Sequence, residues 1–470
     1  VAVAVVAALA TVSRFFFLET SPPGFYIDES AVATQALCIS QEGTSAAGER
    51  FPLFFHSYGG VVHMPVYVYS AALWSKVFGS SIAAFRALAA FASTLTIVGL
   101  FFVGRALVGR QAGVFVALAA ALSPPLFQVG RLAWDPALTV VFLVWALYVV
   151  ARARSRRWAA LSGALFGLSM YTYPTARAHV VLLLPALFFL VRRRAAQPRR
   201  LAIAFVLALV LVAVPLVANT VSGEIQTRYH YIGIFTPDYA AEAGETPVPW
   251  FLARTFAENV LTHFDPTYLF VRGDANLRHS SRFTGELGWL DDLALIAGVG
   301  MAVAALGRRW GGSRQEDDEP ARSSGVRVAM LLAVYGILTG VVPAAMTWEK
   351  LPHALRSIGA WPFVSLLSGT LLWMLCRRHP RAVLLVIAVS VAFGLAFGHH
   401  YFTRYAQKAQ RGFDTFIKKD ALKAQASGDW DRFLDARGGY GHVSLRYYLM
   451  HYGGETCSSS RERLRGRGQP

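Results

Sequence analysis

Eleven blocks of apolar residues, separated by short polar links, restrict what this chain can fold into. A helix needs about 20 predominantly apolar residues to cross a bilayer. The blocks fall at 1–18, 82–107, 112–130, 136–151, 158–173, 178–191, 201–218, 290–306, 328–346, 361–376 and 382–398. With 55% hydrophobic residues and a mean hydropathy of +0.42, the apolar residues gather in runs rather than in amphipathic stripes. The reading is an all-α polytopic membrane protein of about eleven transmembrane helices. Its first segment lacks a small-residue cleavage site and is read as a span rather than a signal peptide.

Arginine placement orients the spans, because basic residues are retained on the cytoplasmic side. Arg152, Arg154, Arg156 and Arg157 share one loop, and Arg192, Arg193, Arg194, Arg199 and Arg200 another. Arg308, Arg309, Arg377, Arg378 and Arg381 fall on the same side. The outer side then receives 19–81, 219–289, 347–360 and the tail 399–470. In a soluble protein a net charge of +17 would suggest nucleic acid. Here topology and anionic headgroups account for it, and no nucleic-acid partner is expected. Residues 1–398 form the membrane domain, with outer loops 19–81 and 219–289, and 399–470 form an outer C-terminal region.

The first outer loop is too polar to span, yet it holds a run from Val66 to Val77 with Tyr67, Tyr69 and Trp74. This predicts a helix lying in the membrane interface. The cytoplasmic stretch 307–327 reads as a flexible polar linker, and Ser458 to Pro470 as disordered. Cys38 and Cys457 both fall outside, where unpaired thiols are the expectation and a disulfide the alternative; Cys376 lies at a cytoplasmic helix end. No phosphate loop, dinucleotide fingerprint or internal repeat is visible. A transferase built this way needs an activated donor already dissolved in the membrane.

Acidic and basic residues cluster on the outer side. Asp28 and Glu29 sit just beyond the first span, where a carboxylate keeps its charge and can accept a proton from an acceptor arriving from water. The alternative is a solvated turn capping the following helix. The same face receives His63-Met64-Pro65, Arg131-Leu132-Ala133-Trp134-Asp135-Pro136, Arg272 to His279 with Asp274 and Arg278, and Leu351 to Arg356 with His353. Arg356 and His353, three apart, would share a helical face, and a guanidinium fork matches a phosphate. Asp135 equally suits a helix cap ahead of Pro136.

These residues carry a resemblance. The Pro22-Pro23-Gly24-x-x-x-Asp28-Glu29 loop, the His63-x-Pro65 element, Phe78-Gly79-Ser80-Ser81 leading to Arg86, and Arg131 to Pro136 resemble the GT-C membrane glycosyltransferases. Within them, the chain is similar to the bacterial protein O-mannosyltransferase and aminoarabinose-transferase-like branch. One departure is His63-Met64-Pro65-Val66 where the branch usually has His-Pro-Pro-Leu.

The resemblance implies that Asp28 is the general base, with Glu29 beside it, in transfer of a sugar from a polyprenyl-phosphate donor to a glycan, lipid or protein acceptor. The chemistry is expected on the outer face of a bacterial cytoplasmic membrane, with inversion at the anomeric carbon. Arg356, His353, Arg131 and Arg278 are the expected donor-phosphate contacts, and His63, Asp135, Asp274 and His279 the expected sugar or acceptor contacts. No cofactor is required by the sequence; a divalent metal, if used, is expected at Asp28 and Glu29. The rival function is a transporter or flippase of lipid-linked sugars. Against it, the polar clusters lie at span ends rather than near the midplane, and no matched broken helices appear in two halves.

Overall fold

The computed structural model of the chain describes residues 1–194, 197–223, 227–236, 239, 248–310, 320–435 and 441–466. Side chains at 194, 227–228, 306–310, 320–323 and 435 are outside that description, as is most of the cytoplasmic linker. The described chain is almost wholly helical, as it must be where lipid offers backbone groups no partner.

Each apolar block forms helix. The long ones are Ile82–Leu107, Pro136–Arg152, Thr175–Arg194, Pro198–Val221, Trp289–Trp310, Pro320–Ala345, Trp361–Arg378 and Ala382–His400. Shorter ones are Ala2–Val12, Arg110–Ala121 with Pro124–Val129, and Arg156–Ser169. Among the described residues, six helical stretches are long and apolar enough to cross a membrane: 82–107, 175–193, 198–221, 324–345, 358–378 and 382–413. Three more, at 2–15, 110–121 and 136–152, are apolar but shorter. The block expected at 112–130 divides because Pro124 and Pro125 open a new turn after Ala121.

Small residues set the closest crossings. A Cβ at Gly163 would collide with the Phe205 carbonyl, and one at Gly369 with the Val116 backbone. Close backbone approach is how membrane helices gain dispersion contacts where the hydrophobic effect is absent.

The first outer loop forms a helix at Ile27–Glu42, a hairpin pairing Phe55–His56 with Val62–His63, and a helix at Pro65–Phe78. The last coincides with the helix expected over the run Val66 to Val77. Tyr67, Val68, Ala71 and Ala72 face inward, while Leu73, Val77 and Phe78 are exposed.

The C-terminal region is more ordered than its composition suggests. Helices run Thr415–Ser427, Trp430–Asp435, Gly441–Tyr452 and Cys457–Arg465. The last corrects the disorder expected beyond Ser458: Thr456 caps it by accepting from the Ser459 amide. Cys38 and Cys457 form a disulfide, which corrects the reading as unpaired thiols. Beside it, Arg446 donates to the carbonyls of Ala46 and Cys457 at 2.8 and 2.9 Å. Ser444 meets Ser30 at 2.9 Å, and the Tyr447 hydroxyl donates to Ser80 O at 2.9 Å. The tail therefore packs onto the first outer loop.

Candidate active site

Asp28 lies in the first turn of the helix Ile27–Glu42 and is partly exposed. The Tyr58 hydroxyl, brought across by the hairpin turn, donates to Asp28 Oδ1. A hydrogen bond to the ionised form fixes which way a carboxylate faces.

Glu29, one residue on, has a different environment. Its side chain is fully buried, with Oε1 accepting from Arg86 Nε and the Ala133 amide, both at 2.9 Å. Oε2 accepts from Arg86 Nη2 at 2.8 Å and from the Tyr26 amide at 3.2 Å. An ionised carboxylate has about four acceptor sites, and all are occupied. The expectation that Glu29 stands beside Asp28 as a catalytic or metal-binding acid is corrected on this geometry: it binds the loop to the helix Ile82–Leu107. Arg86 also donates to the carbonyls of Leu18, Pro22 and Gly24, drawing the Pro-Pro-Gly turn around itself.

Arg131 is corrected for the same reason. Its guanidinium is buried and donates to the carbonyls of Ser13, Arg14, Phe16 and Ser21 at 3.2, 2.7, 2.5 and 2.5 Å. A guanidinium whose two Nη atoms are so occupied braces the turn after the first helix, and only its buried Nε is without a hydrogen-bond partner. Arg356 likewise donates to Thr347 Oγ1 and Glu349 O at 2.9 Å and to Glu349 Oε2 at 3.1 Å. The phosphate contact expected of it is not what the structure presents.

Asp135 does reach the site. Its Oδ2 accepts from the Met64 amide at 3.3 Å and lies 4.0 Å from His63 Nδ1, whereas Oδ1 is buried with no hydrogen-bond partner. Burial, and to a lesser degree the charge of Asp28, push the Asp135 carboxyl up to about 8. Burial brings His63 down to about 4, and its Nε2 is also unpartnered. Both unpartnered atoms belong to side chains of one buried corner, where a water or a ligand group could complete the bonding.

Arg177 was not singled out from the sequence. It lies near the outer end of the helix Thr175–Arg194, its Nη2 is 3.4 Å from Met64 Sδ, and its buried Nε has no hydrogen-bond partner. Its signal is an arginine in the short link between the apolar blocks 158–173 and 178–191. Arg278 lays its guanidinium over the Tyr26 ring, 3.9 Å from the centroid, and donates from Nε to Asn276 Oδ1 at 3.2 Å. It thus lies against Tyr26, two residues before Asp28.

The remaining expected contacts converge beside this centre. His279 Nδ1 is 2.9 Å from Asp274 Oδ2, and His353 Nδ1 is 3.9 Å from the same oxygen. Trp134 links the two groups, its ring 6.0 Å from His279 on one side and from Tyr26 on the other. Four stretches distant in sequence therefore meet at one place.

A polytopic helical membrane protein with a carboxylate site built from loops at the helix ends is the class that this fold and geometry define. Residues 62–218, about a third of the chain, match the family model described as dolichyl-phosphate-mannose-protein mannosyltransferase. No curated protein matches the chain in sequence. Among solved structures, the chain is similar to ArnT from Cupriavidus metallidurans bound to undecaprenyl phosphate, at 17% identity and a TM-score of 0.48, over 98% of this chain and 77% of that one. It is also similar to the oligosaccharyltransferase AglB from Archaeoglobus fulgidus in complex with an inhibitory peptide and a dolichol-phosphate. There the identity is 12% and the TM-score 0.47, over 96% of this chain and 59% of that one.

Proposed function

We propose that the protein transfers a sugar from a polyprenyl-phosphate donor to a hydroxyl-bearing acceptor on the outer face of the membrane, with Asp28 as the general base. The observation that carries this reading is the arrangement of acids: a partly exposed Asp28 oriented by Tyr58, with the buried, half-unpartnered Asp135 close enough to feel its charge. The match of 62–218 to a lipid-phosphate mannosyltransferase family supports the donor class.

In the proposed step the acceptor oxygen forms a bond to the anomeric carbon as the bond from that carbon to the phosphate oxygen breaks. Asp28 removes the acceptor proton, and the electron pair leaves with the polyprenyl phosphate. Attack opposite the leaving group inverts the anomeric centre. Arg177 and Arg278 are the guanidiniums placed to stabilise the charge growing on the phosphate. Asp135 and His63, whose orphaned atoms face no protein partner, suit sugar hydroxyls. Glu29, Arg86 and Arg131 hold the loop that presents Asp28.

The test uses purified protein in nanodiscs with a polyprenyl-phosphate sugar and an acceptor glycan, following release of polyprenyl phosphate. Asp28→Asn should bind donor and lose ~10²-fold or more in turnover. Arg177→Ala should lose donor affinity, and Arg177→Lys should recover part of it, because an ammonium keeps the charge without the fork. Normal turnover by Asp28→Asn would sink the mechanism. Movement of the lipid-linked sugar across the bilayer without release of polyprenyl phosphate would favour the flippase.

A further inference from the structure

We propose that Asp274, His279 and His353 hold a divalent transition metal of the zinc class, with neither Asp28 nor Asp135 among its ligands. Each of the three is buried, and each offers one ligand atom within 4.8 Å of the other two. Among the described residues no other group of three histidine, cysteine or acidic side chains does so. Tetrahedral zinc with bonds of about 2.1 Å sets its ligand atoms about 3.4 Å apart, and the separations of 2.9 and 3.9 Å from Asp274 Oδ2 to the two imidazole nitrogens bracket that spacing.

Hydrogen bonds already orient the three groups. The Arg356 amide donates to His353 Nδ1 at 3.2 Å, so that nitrogen bears a lone pair rather than a proton. Asp274 Oδ2 already accepts from the Ala354 amide at 2.9 Å and faces His279 Nδ1. A cation bound there would take the His353 Nδ1 lone pair in place of the Arg356 amide and neutralise the buried Asp274 carboxylate.

The neighbouring histidine is not a competitor. His263 Nδ1 meets Asn259 O at 2.8 Å, and its Nε2 accepts from the His353 amide at 3.1 Å, so both nitrogens are engaged. The carboxylate is positioned as a ligand should be. Gly273, at a φ of +64°, turns the chain where a Cβ would strike Ser280 and Glu286, and Asp274 Oδ1 accepts from the Asn276 amide at 2.8 Å. Such outer contacts fix the orientation of metal ligands. Two imidazoles with one carboxylate suit zinc and leave room for a further ligand. The ion would join the loop 273–288 to the loop 347–360 and stiffen the wall on which Trp134 and Tyr26 rest.

The test is metal uptake by the full chain, independent of sugar transfer. Purified protein is stripped with dipicolinate, incubated with zinc chloride, desalted and analysed by mass spectrometry for metal. The wild type should retain about one zinc per chain, show a zinc-dependent rise in melting temperature, and give the visible bands of tetrahedral cobalt on substitution. His279→Gln and His353→Gln should lose all three responses, and Asp28→Asn should keep them. Absence of uptake by the wild type overturns the site, as does undiminished uptake by the glutamine variants. Loss of uptake in Asp28→Asn would move the metal to the acidic loop and also overturn it. Should the glutamine variants fail to fold, the wild-type stoichiometry and cobalt spectrum still decide.

Discussion

At the scale of single residues, the site depends on how differently its carboxyls are treated. Asp28 is left partly open, Glu29 is fully paired, and Asp135 is buried with one oxygen unmet. Asp135 yields a pH prediction. Unfolded, its carboxyl ionises in the usual range near 4; folded, it holds its proton to about 8. The folded state then binds more protons between those values, so stability falls as pH rises through that window. Melting temperature should decline from pH 5 to pH 8 more steeply in the wild type than in Asp135→Asn, and equal slopes would remove Asp135 as the cause. Asp28, Asp135, His63 and Arg278 stand out in the sequence as proposed site groups because charged or polar residues at span ends contrast with lipid. What each charge bonds to was not legible: Glu29, Arg131 and Arg356 look like active-site groups until their buried partners are seen. Arg177 stands alone in a short link, with no acidic neighbour in sequence to signal a site.

At the scale of elements, the buried pair of Glu29 and Arg86 attaches the first-loop helix to the helix Ile82–Leu107. Removing one partner of a buried pair leaves the other charge desolvated, which costs about 3–5 kcal/mol. Glu29→Gln should therefore reduce yield and melting temperature more than Asp28→Asn does, with turnover per folded molecule much less affected. Arg86→Met in the Glu29→Gln background should recover part of the stability, as double-mutant analysis would show. The helices themselves were well marked, since runs of apolar residues bounded by arginine and proline leave little alternative. The six long apolar stretches fall short of the eleven spans expected, partly because Pro124 divides one block and several others form helices too short to meet that length.

For the whole molecule, the disulfide between Cys38 and Cys457 fits the proposal that both lie outside, since such bonds persist in oxidising compartments. Digestion without reductant should give one peptide containing both cysteines. Cys38→Ser should lower stability by about 2–5 kcal/mol, read as a fall in melting temperature matched by reducing the wild type. Reporter fusions at Asp420 should signal from outside and fusions after Arg200 from the cytoplasm; a cytoplasmic signal at Asp420 would refute the orientation. The pairing was hidden from sequence because nothing in 399–470 shows where it docks.

That docking has a consequence in the timing of biosynthesis. Ser30, on the helix bearing Asp28, touches Ser444, 414 residues later in the chain. The ribosome has therefore made the acidic loop and nearly every helix beneath it before the segment that covers this loop exists. Until that segment has been translated and has reached this loop, the nascent protein holds its acid with one flank bare, and the packing around Asp28 is completed only after Ser444 has been made.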